Sequence, residues 1–488
     1  MAMSSVGKVR RKEIEDQLSD RNLYANRVRV YPKSVRGIAR TIKTAILVTC
    51  LAVYYVLPWI RWDRGPGYPD QAVLLDLPNR RFHVFNLEFW PQDIYYLTGM
   101  LILAAISLFL VTSLLGRVWC GYACPQTVWT DLFMWVERRI EGDRNERMKR
   151  DQGPPSTDRL LRKLAKHAAW AAVAFATGGA WIAYFVDAPT LLREFFTGGA
   201  STEVYFFVGL FTFTTYLLAG WAREQVCTFM CPWPRFQSAM LDEQSLIVTY
   251  QAWRGEPRGH GRRDAAHAGL GACIDCNACV NSCPTGVDIR DGVQLECINC
   301  GLCIDACNEM MVKSGQPKWL VTWDTLARQR EKAQGQHGRL RILRPRTLVY
   351  AGVLAVAMSV MGVALASRAH VHLSVQHDRA PLFVMTRDGG LRNAYTIRIS
   401  NKTLQDAPFT LAVAGVKDAV MAFGEAPEQR SQVLDLTVPG DQVDTRRLLV
   451  FGRPERLADG STPLELTLRN TQTGEMTTYR TVFMGPAR

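Results

Sequence analysis

Regularly spaced thiols are the feature of this 488-residue chain that most directly suggests chemistry, since eight of its 13 cysteines lie within 35 residues. They form two runs with the spacing C-x2-C-x2-C-x3-C. The first run is Cys273, Cys276, Cys279 and Cys283, followed by Pro284, and the second is Cys297, Cys300, Cys303 and Cys307, followed by Asn308. Thiolates at this spacing bind [4Fe–4S] clusters, which pass one electron at a time. The two runs therefore predict an electron-transfer protein.

The order of the ligands follows from the spacing of a bacterial two-cluster ferredoxin. Three thiolates two residues apart wrap one corner of a cubane, and the fourth lies too far along the chain and binds the other cluster. The predicted sets are Cys273, Cys276, Cys279 and Cys307 for one cluster, and Cys297, Cys300, Cys303 and Cys283 for the second. Two structural zinc sites are the alternative, but zinc ribbons use separated C-x2-C pairs. The spacing favours two [4Fe–4S] clusters.

A second group of thiols belongs to two C-x3-C-P motifs that lie 107 residues apart, which indicates a duplicated unit. Its cysteines are Cys120, Cys124, Cys227 and Cys231. Cysteines four apart share one face of a helix, so these thiols could converge. Soft thiolates select copper(I), zinc or iron–sulfur clusters. We favour a copper or other redox-metal site, and a structural zinc or packing role and a dithiol–disulfide pair remain as alternatives.

Apolar segments show where these motifs are placed. About 20 apolar residues are needed to cross a bilayer, and five segments predict a polytopic α-helical membrane protein with five transmembrane helices. They are Ile42–Ile60, Tyr95–Leu115, Ala168–Val186, Val204–Trp221 and Thr347–Ala366. The third, rich in alanine and glycine, has the weakest pattern.

Basic residues set the predicted orientation. Segments 1–41, 116–167 and 222–346 carry 10, 11 and 16 Lys and Arg, whereas loops 61–93 and 187–203 carry 4 and 1. Positive residues stay on the cytoplasmic side of a membrane. We therefore expect a protein of the bacterial inner membrane, with its amino terminus in the cytoplasm and its carboxyl terminus in the periplasm. The net charge of +13 therefore reflects topology, and we expect no nucleic-acid partner.

The predicted domains follow from these assignments. They are a basic cytoplasmic arm (1–41), four transmembrane helices in two hairpins (42–221), a cytoplasmic region (222–346) with a ferredoxin insert at about 270–312, a fifth transmembrane helix (347–366) and a periplasmic domain (367–488). Both C-x3-C-P motifs lie at or just after cytoplasmic helix ends. No Gly-rich phosphate loop follows a strand, so electrons are expected from a protein, a quinol or a bound flavin.

The last domain alternates apolar and polar residues with a period of two, as in Tyr395–Ser400 and Leu464–Arg469. About seven short strands predict an immunoglobulin-like β-sandwich. His370, His372 and His377 lie at its start, where we favour a solvated strand edge and keep an exterior metal site as the alternative.

These motifs closely resemble the CcoG/FixG/RdxA family of accessory proteins for assembly of cbb-type cytochrome oxidase. The resemblance is carried by Gly116–Asp131, Ala222–Met240, Leu246–Gly259 and the ferredoxin region. It implies an oxidoreductase, a cupric reductase that supplies copper(I) for the copper–haem centre of the oxidase. By motif it makes Cys120, Cys124, Cys227 and Cys231 the copper residues and the eight ferredoxin cysteines the cluster ligands.

Partners and alternatives follow from this hypothesis. Oxidase assembly factors or a copper exporter would take the copper(I), and a homodimer is compatible with the sequence. A quinol-linked electron-transfer subunit is one alternative, since related subunits share the C-x3-C-P motifs. A non-enzymatic assembly scaffold, with the tail docked on an oxidase subunit, is the other.

Overall fold

The computed structural model describes residues 29–65, 68–260, 269–369, 371–386, 389–403, 405–453 and 460–486. The chain divides into two compact units, Met1–Ser359 and Val360–Arg488. The first is mainly helical and contains every cysteine, and the second is mainly β-sheet.

Helices form most of the first unit. They are α1 (Ile38–Val56), α2 (Ile94–Leu115), α3 (Pro125–Glu141), α4 (Arg144–Gln152), α5 (Thr157–Ile182), α6 (Ala188–Thr197), α7 (Thr202–Thr215), α8 (Trp233–Met240), α9 (Ala252–Gly255), α10 (Ala278–Ser282), α11 (Leu302–Lys313), α12 (Leu326–Ala333) and α13 (Pro345–Ala366), which runs into the second unit. Single turns of 3-10 helix occur at Leu57–Trp59, Pro91–Asp93 and Ile289–Asp291. Three π-helical turns lie at Trp119–Ala123, Tyr216–Ala222 and Val226–Met230.

Four helical stretches in the described residues are long and apolar enough to span a membrane. They are Ile38–Trp59, Ile94–Leu115, Thr202–Ala222 and Pro345–Ala366. They match four of the five predicted segments. Most of the remaining segment, Ala168–Val186, lies in α5, which ends at Ile182. The first half of α5 carries Arg159, Arg162, Lys163 and Lys166, so only the second half of this helix is apolar. The count of five spans therefore stays a prediction.

Two small sheets also belong to the first unit. An antiparallel sheet of β1 (Val73–Asp76), β2 (Arg81–Val84) and β3 (Leu87–Phe89) lies in the loop between α1 and α2, where no strand was predicted. Strands β4 (Ile247–Tyr250) and β5 (Val321–Asp324) pair antiparallel. Because they flank the ferredoxin insert in sequence, their pairing brings its two ends together.

The second unit contains two antiparallel sheets. Its strands are β6 (Val371–His377), β7 (Val384–Met385), β8 (Leu391–Asn401), β9 (Ala407–Ala414), β10 (Val420–Phe423), β11 (Val433–Val438), β12 (Gln442–Gly452), β13 (Ser461–Asn470) and β14 (Met476–Met484). One sheet has the order β10-β12-β8-β6, with β7 on β8, and the other has the order β11-β9-β13-β14. Alternate residues of both sheets form a single buried core. The period-two pattern thus predicted strands here, about seven of them, and the described part of this unit contains nine.

The two described histidines at the start of this domain, His372 and His377, lie on opposite faces of one strand. His370 lies outside the described residues. His372 is exposed on β6, whereas His377, five positions along, belongs to the opposite face of the strand. His377 pairs through Nε2 with Asn393 Oδ1 at 2.8 Å and packs edge-on against Tyr395. The two described histidines therefore share no metal site, and His377 has a packing role.

Candidate functional site

The first predicted cluster set lines a single pocket. Cys273, Cys276 and Cys279 lie there with Cys307, which comes from the second run and is carried by α11. The chain turns sharply between Cys276 and Cys279 because Asn277 is left-handed, with φ of +55°. Four thiols around one pocket are the donor set of a [4Fe–4S] cluster. The donor chemistry of this pocket fits that group.

The thiols of the second predicted cluster set, Cys297, Cys300, Cys303 and Cys283, also lie close to one another. Burial raises the pKa of Cys303 well above its usual range, and the thiols of Cys300, Cys297 and Cys283 raise it further. Burial also raises the pKa of Cys297 to about 12, although the backbone N–H of Asn299 opposes the shift. Cys283 thus lies next to the three thiols of the other run. Cluster ligands are thiolates, so binding a cluster here would release the protons that burial keeps on Cys297 and Cys303. A cluster held here would supply one-electron transfer.

Both C-x3-C-P motifs share one backbone conformation. The N–H of Cys124 donates to the carbonyl of Trp119 at 2.9 Å, and the N–H of Cys231 donates to the carbonyl of Val226 at 2.8 Å. Each bond closes a π-helical turn, a wider turn than the α-helical one assumed from the sequence and one that is frequent at functional sites. A proline follows each second cysteine and lies at the start of α3 or α8, where its missing N–H costs nothing.

The four cysteines of these motifs are electrostatic neighbours. Burial raises the pKa of Cys120 to about 12, Arg117 opposes it, and the other three thiols add to it. Burial, then Cys124 and Cys231, raise the pKa of Cys227 to about 11. Across the described ranges, no three or more His, Cys, Asp or Glu side chains adopt the geometry of a single metal ion. The case for a soft metal here therefore rests on proximity and donor chemistry.

Cys120 is held by residues that follow each of the two motifs, Thr127 and Gln237. Its thiol donates to Gln237 Oε1 at 2.8 Å, and Gln237 Nε2 donates to Thr112 Oγ1 at 3.2 Å. The hydroxyl of Thr127 donates to the carbonyl of Cys120 at 2.5 Å. Gln237 lies on α8, just after the second motif, and is 1% exposed. Sequence reasoning missed it because a glutamine six residues beyond a cysteine carries no motif.

The first C-x3-C-P turn packs directly on the second cluster set. Cys120 and Cys300 belong to one buried cluster of side chains. A Cβ placed on Gly121 would lie 2.6 Å from the carbonyl oxygen of Ile298 and 3.0 Å from the Cα of Cys300. The hydroxyl of Tyr122 donates to the carbonyl of Cys300 at 3.0 Å. The structure therefore brings the two groups of cysteines into backbone contact.

Charged residues on α1 and α11 secure this contact. Lys43, 3% exposed, donates from Nζ to the carbonyl of Gly121 at 3.0 Å. Asp305, on α11, accepts from the backbone N–H groups of Ala39 and Arg40 at the start of α1, where a carboxylate is favoured by the helix dipole. Lys43 had a usable signal, since a lysine inside an apolar segment often marks a functional position. Asp305 could not be assigned a contact from sequence.

Three domain families match the chain. A 4Fe-4S dicluster domain covers residues 222–326, a 4Fe-4S binding domain covers 97–142, and the IG-like fold at the C-terminus of FixG covers 361–486. Nitrogen fixation protein FixG of Rhizobium meliloti is 42% identical, over 95% of this chain and 94% of that protein. The chain belongs to the CcoG/FixG/RdxA family. Two proteins from Cereibacter sphaeroides are also similar to this chain over most of its length. RdxB is 43% identical over 95% of this chain and 98% of its own length. RdxA is 47% identical over 80% of this chain and 84% of its own length.

Family membership and structure together define the general class of this protein. Its apolar helices and FixG-like sequence make it a membrane protein. Its 4Fe-4S domains and its IG-like domain confirm the predicted iron–sulfur and immunoglobulin-like parts, and identify it as an iron–sulfur redox protein.

Proposed function

We propose that this protein reduces copper(II) to copper(I) at Cys120, Cys124, Cys227 and Cys231. Electrons would reach this site from two [4Fe–4S] clusters held by Cys273, Cys276, Cys279 and Cys307 and by Cys297, Cys300, Cys303 and Cys283. The product would serve assembly of the copper–haem centre of a cbb-type oxidase, as the family resemblance implies.

The observation that carries this proposal is the contact between Tyr122 and Cys300. Tyr122 lies between Cys120 and Cys124, and its hydroxyl reaches the backbone of a proposed ligand of the second cluster. Electron transfer needs donor and acceptor to be close, and this contact supports a short path between the two sites. A scaffold that only docked an oxidase would not need the two cysteine groups in contact.

The chemistry of the site suits copper as substrate. One electron converts one copper(II) ion to copper(I), which matches a one-electron donor. Thiolates bind copper(I) more favourably than harder cations. Burial holds the pKa of Cys120 and Cys227 at about 12 and about 11, so copper binding would displace protons from these thiols to water.

The domain layout of the proposal follows the charge pattern. The arm 1–41 and region 222–346 would lie in the cytoplasm, the helices 42–221 and 347–366 in the membrane, and 367–488 in the periplasm. Reduced copper would then form on the cytoplasmic side and pass to an exporter. The outer domain would dock oxidase assembly factors.

An anaerobic single-turnover experiment tests the proposal. Protein with intact clusters is reduced with dithionite, freed of excess reductant and mixed with copper(II) and a copper(I) chelator. We expect copper(I) in proportion to the loss of the reduced cluster signal. Alanine at all four C-x3-C-P cysteines should abolish copper(I) formation and leave the ferredoxin cluster signal unchanged. Alanine at Cys50, a cysteine of α1 outside both groups, is the matched control. Copper(I) formed at an undiminished rate by the four-cysteine variant would remove this site from the mechanism.

A second candidate is favoured by the match of a 4Fe-4S binding domain to residues 97–142. That segment contains Cys120 and Cys124, and so the four C-x3-C-P cysteines could hold a third cluster. Iron analysis separates the two candidates. If the site holds a cluster, the four-cysteine variant should lose roughly a third of its iron, whereas a copper site predicts no loss.

A further inference from the structure

A cavity of about 220 Å³ lies beside the second cluster set. Its walls come from Arg117, two residues beyond the end of α2, from α8 and β4, and from the loop before Cys300. The lining residues include Arg117, Leu241, Val248, Val293, Leu295 and Cys297. Most of the wall is apolar, and one side of it is a proposed cluster ligand.

The cavity is located at the end of a membrane helix. Arg117 follows the candidate span Ile94–Leu115 by two residues, and therefore lies at the expected edge of the bilayer. Val293 and Leu295, on the loop that lines the cavity, are 54% and 40% exposed. Apolar side chains exposed beside a membrane helix allow an apolar molecule to enter from the lipid.

Arg117 is the polar group built into this wall. It is 5% exposed, and its Nη1 donates to the carbonyl of Leu295. Its Nε is buried without a hydrogen-bond partner, and no carboxylate in the described part of the chain lies within ion-pair distance of it. A buried donor left unpaired costs about 1–3 kcal/mol. Because Arg117 lines the cavity, its guanidinium can donate to an oxygen acceptor brought by a ligand.

The size of the cavity limits the ligand. Sites for cofactors and drug-sized molecules usually occupy about 300–1,000 Å³, so a nicotinamide dinucleotide or a flavin dinucleotide does not fit. A single six-membered ring with one oxygen on Arg117 does. Apolar walls, a membrane location and one oxygen-binding donor together describe the head group of a membrane quinol.

We propose that this cavity binds a membrane quinol, with one ring oxygen on Arg117, and that the quinol is the electron donor of the protein. This inference rests on the iron–sulfur part of the proposed function. Oxidation of one quinol to the quinone releases two electrons and two protons. The two electrons pass to the two one-electron centres, the nearer of which would adjoin Cys297, and the two protons pass to water at the membrane surface beside Arg117. Two electrons then match the reduction of two copper(II) ions.

The test uses intact protein in detergent, without copper, and decylubiquinol as the probe. We expect decylubiquinol to bleach the iron–sulfur absorption under anaerobic conditions. A binding readout accompanies it, namely photolabelling by an azido-ubiquinone analogue with mapping of the labelled peptides. The label should fall on segments 236–248 and 289–299. Absence of bleaching, or a label confined to other segments, would overturn the proposal.

Two exposed valines provide a matched pair of variants. Val293→Trp fills the mouth of the cavity, whereas Val312→Trp adds the same ring at a similarly exposed position on α11 outside it. We expect Val293→Trp to raise the quinol concentration for half-maximal bleaching by about tenfold or more and to lose the photolabel, and Val312→Trp to match the parent. Equal behaviour of both variants would refute the site. Arg117→Gln should weaken labelling in the same way.

Failure of this proposal is distinguishable from failure of copper reduction. Dithionite-reduced protein is assayed for copper(I) formation in the absence of quinol. Copper(I) formed there without quinol-driven bleaching leaves the reductase standing and removes the quinol site. Quinol-driven bleaching without copper(I) formation would support the quinol site and remove the copper reductase.

Discussion

The hydroxyl of Tyr122 donates a 3.0 Å hydrogen bond to the carbonyl oxygen of Cys300, and so joins the first C-x3-C-P turn to the loop of the second cluster set. Gly121 allows this approach because it has no side chain. The nearest backbone atoms would lie 2.6–3.0 Å from any added Cβ, closer than real Cβ contacts. The link between the two cysteine groups is therefore steric as well as polar.

Substituting Gly121 by alanine should separate these two loops. The added methyl group meets rigid backbone, and overpacking of this kind costs about 1–3 kcal/mol. We expect both clusters to be retained, since no cysteine changes, but copper(I) formation by the reduced protein to slow. The control is Gly179→Ala, because a Cβ there meets nothing within 4 Å. Equal copper(I) rates in the two variants would show that the contact is not part of the electron path.

The fourth cysteine of each run is predicted to bind the cluster of the other run. Two single substitutions test this assignment. Cys283→Ala should impair the cluster of Cys297, Cys300 and Cys303, and Cys307→Ala should impair the cluster of Cys273, Cys276 and Cys279. Each variant should keep roughly half of the iron, and the two should differ in their electron paramagnetic resonance spectra. If each substitution instead removed the cluster of its own run, the crossed assignment would be wrong.

Glu137 is the centre of a buried ion cluster next to the second motif. It is 0% exposed, and its carboxylate lies 2.8 Å from Arg147 and 2.9 Å from Arg223. Lys166 lies 3.6 Å away. Lys166 also lies 2.8 Å from Glu141, so Glu137→Gln chiefly deprives Arg147 and Arg223 of their closest counter-charge. Breaking a buried pair in this way typically costs about 3–5 kcal/mol.

The expected result for Glu137→Gln is a large fall in thermal stability and in yield from the membrane fraction, measured with cluster content. Glu146→Gln is the control, because that side chain is exposed on α4. A melting temperature equal to that of Glu146→Gln would show that the cluster contributes little to stability.

His83 makes the small sheet between α1 and α2 sensitive to acid. It is 2% exposed, its Nδ1 has no hydrogen-bond partner, and burial, then the charge of Arg64, lowers its pKa to about 4. In the unfolded loop the same side chain titrates near 6.5. The depressed pKa means that the stabilisation is fully present above pH 6.5 and is lost as the pH falls towards 4.

Limited proteolysis measures this effect. Cleavage within 60–93 should increase between pH 6.5 and 4 in the parent protein, corresponding to a loss on the order of 2 kcal/mol. His83→Gln should be less stable at neutral pH but should show a weaker dependence on pH over that interval. An unchanged pH profile in His83→Gln would assign the sensitivity to another group.

Local sequence patterns were enough to predict the long apolar helices, several strands and the iron–sulfur domain of this protein. Hydrophobic length located four long apolar helices, period-two alternation located strands such as β8 and β13, and cysteine spacing identified the iron–sulfur domain. These properties depend on neighbours in sequence, because periodicity and ligand spacing are set within a few residues of backbone. The third apolar segment was less decisive, since the same helix, α5, mixes four basic residues with its apolar half.

Tertiary structure decided which of these parts meet. Nothing in the order of residues predicted that Gly121 packs on Cys300, that Lys43 reaches the carbonyl of Gly121, or that Gln237 accepts from the thiol of Cys120. The contacts join segments that are between 78 and 179 residues apart in the sequence. Their partners are backbone atoms and common polar side chains, which leave no spacing signature. Burial then fixed the protonation of the thiols, because desolvation acts only once the chain has folded around them.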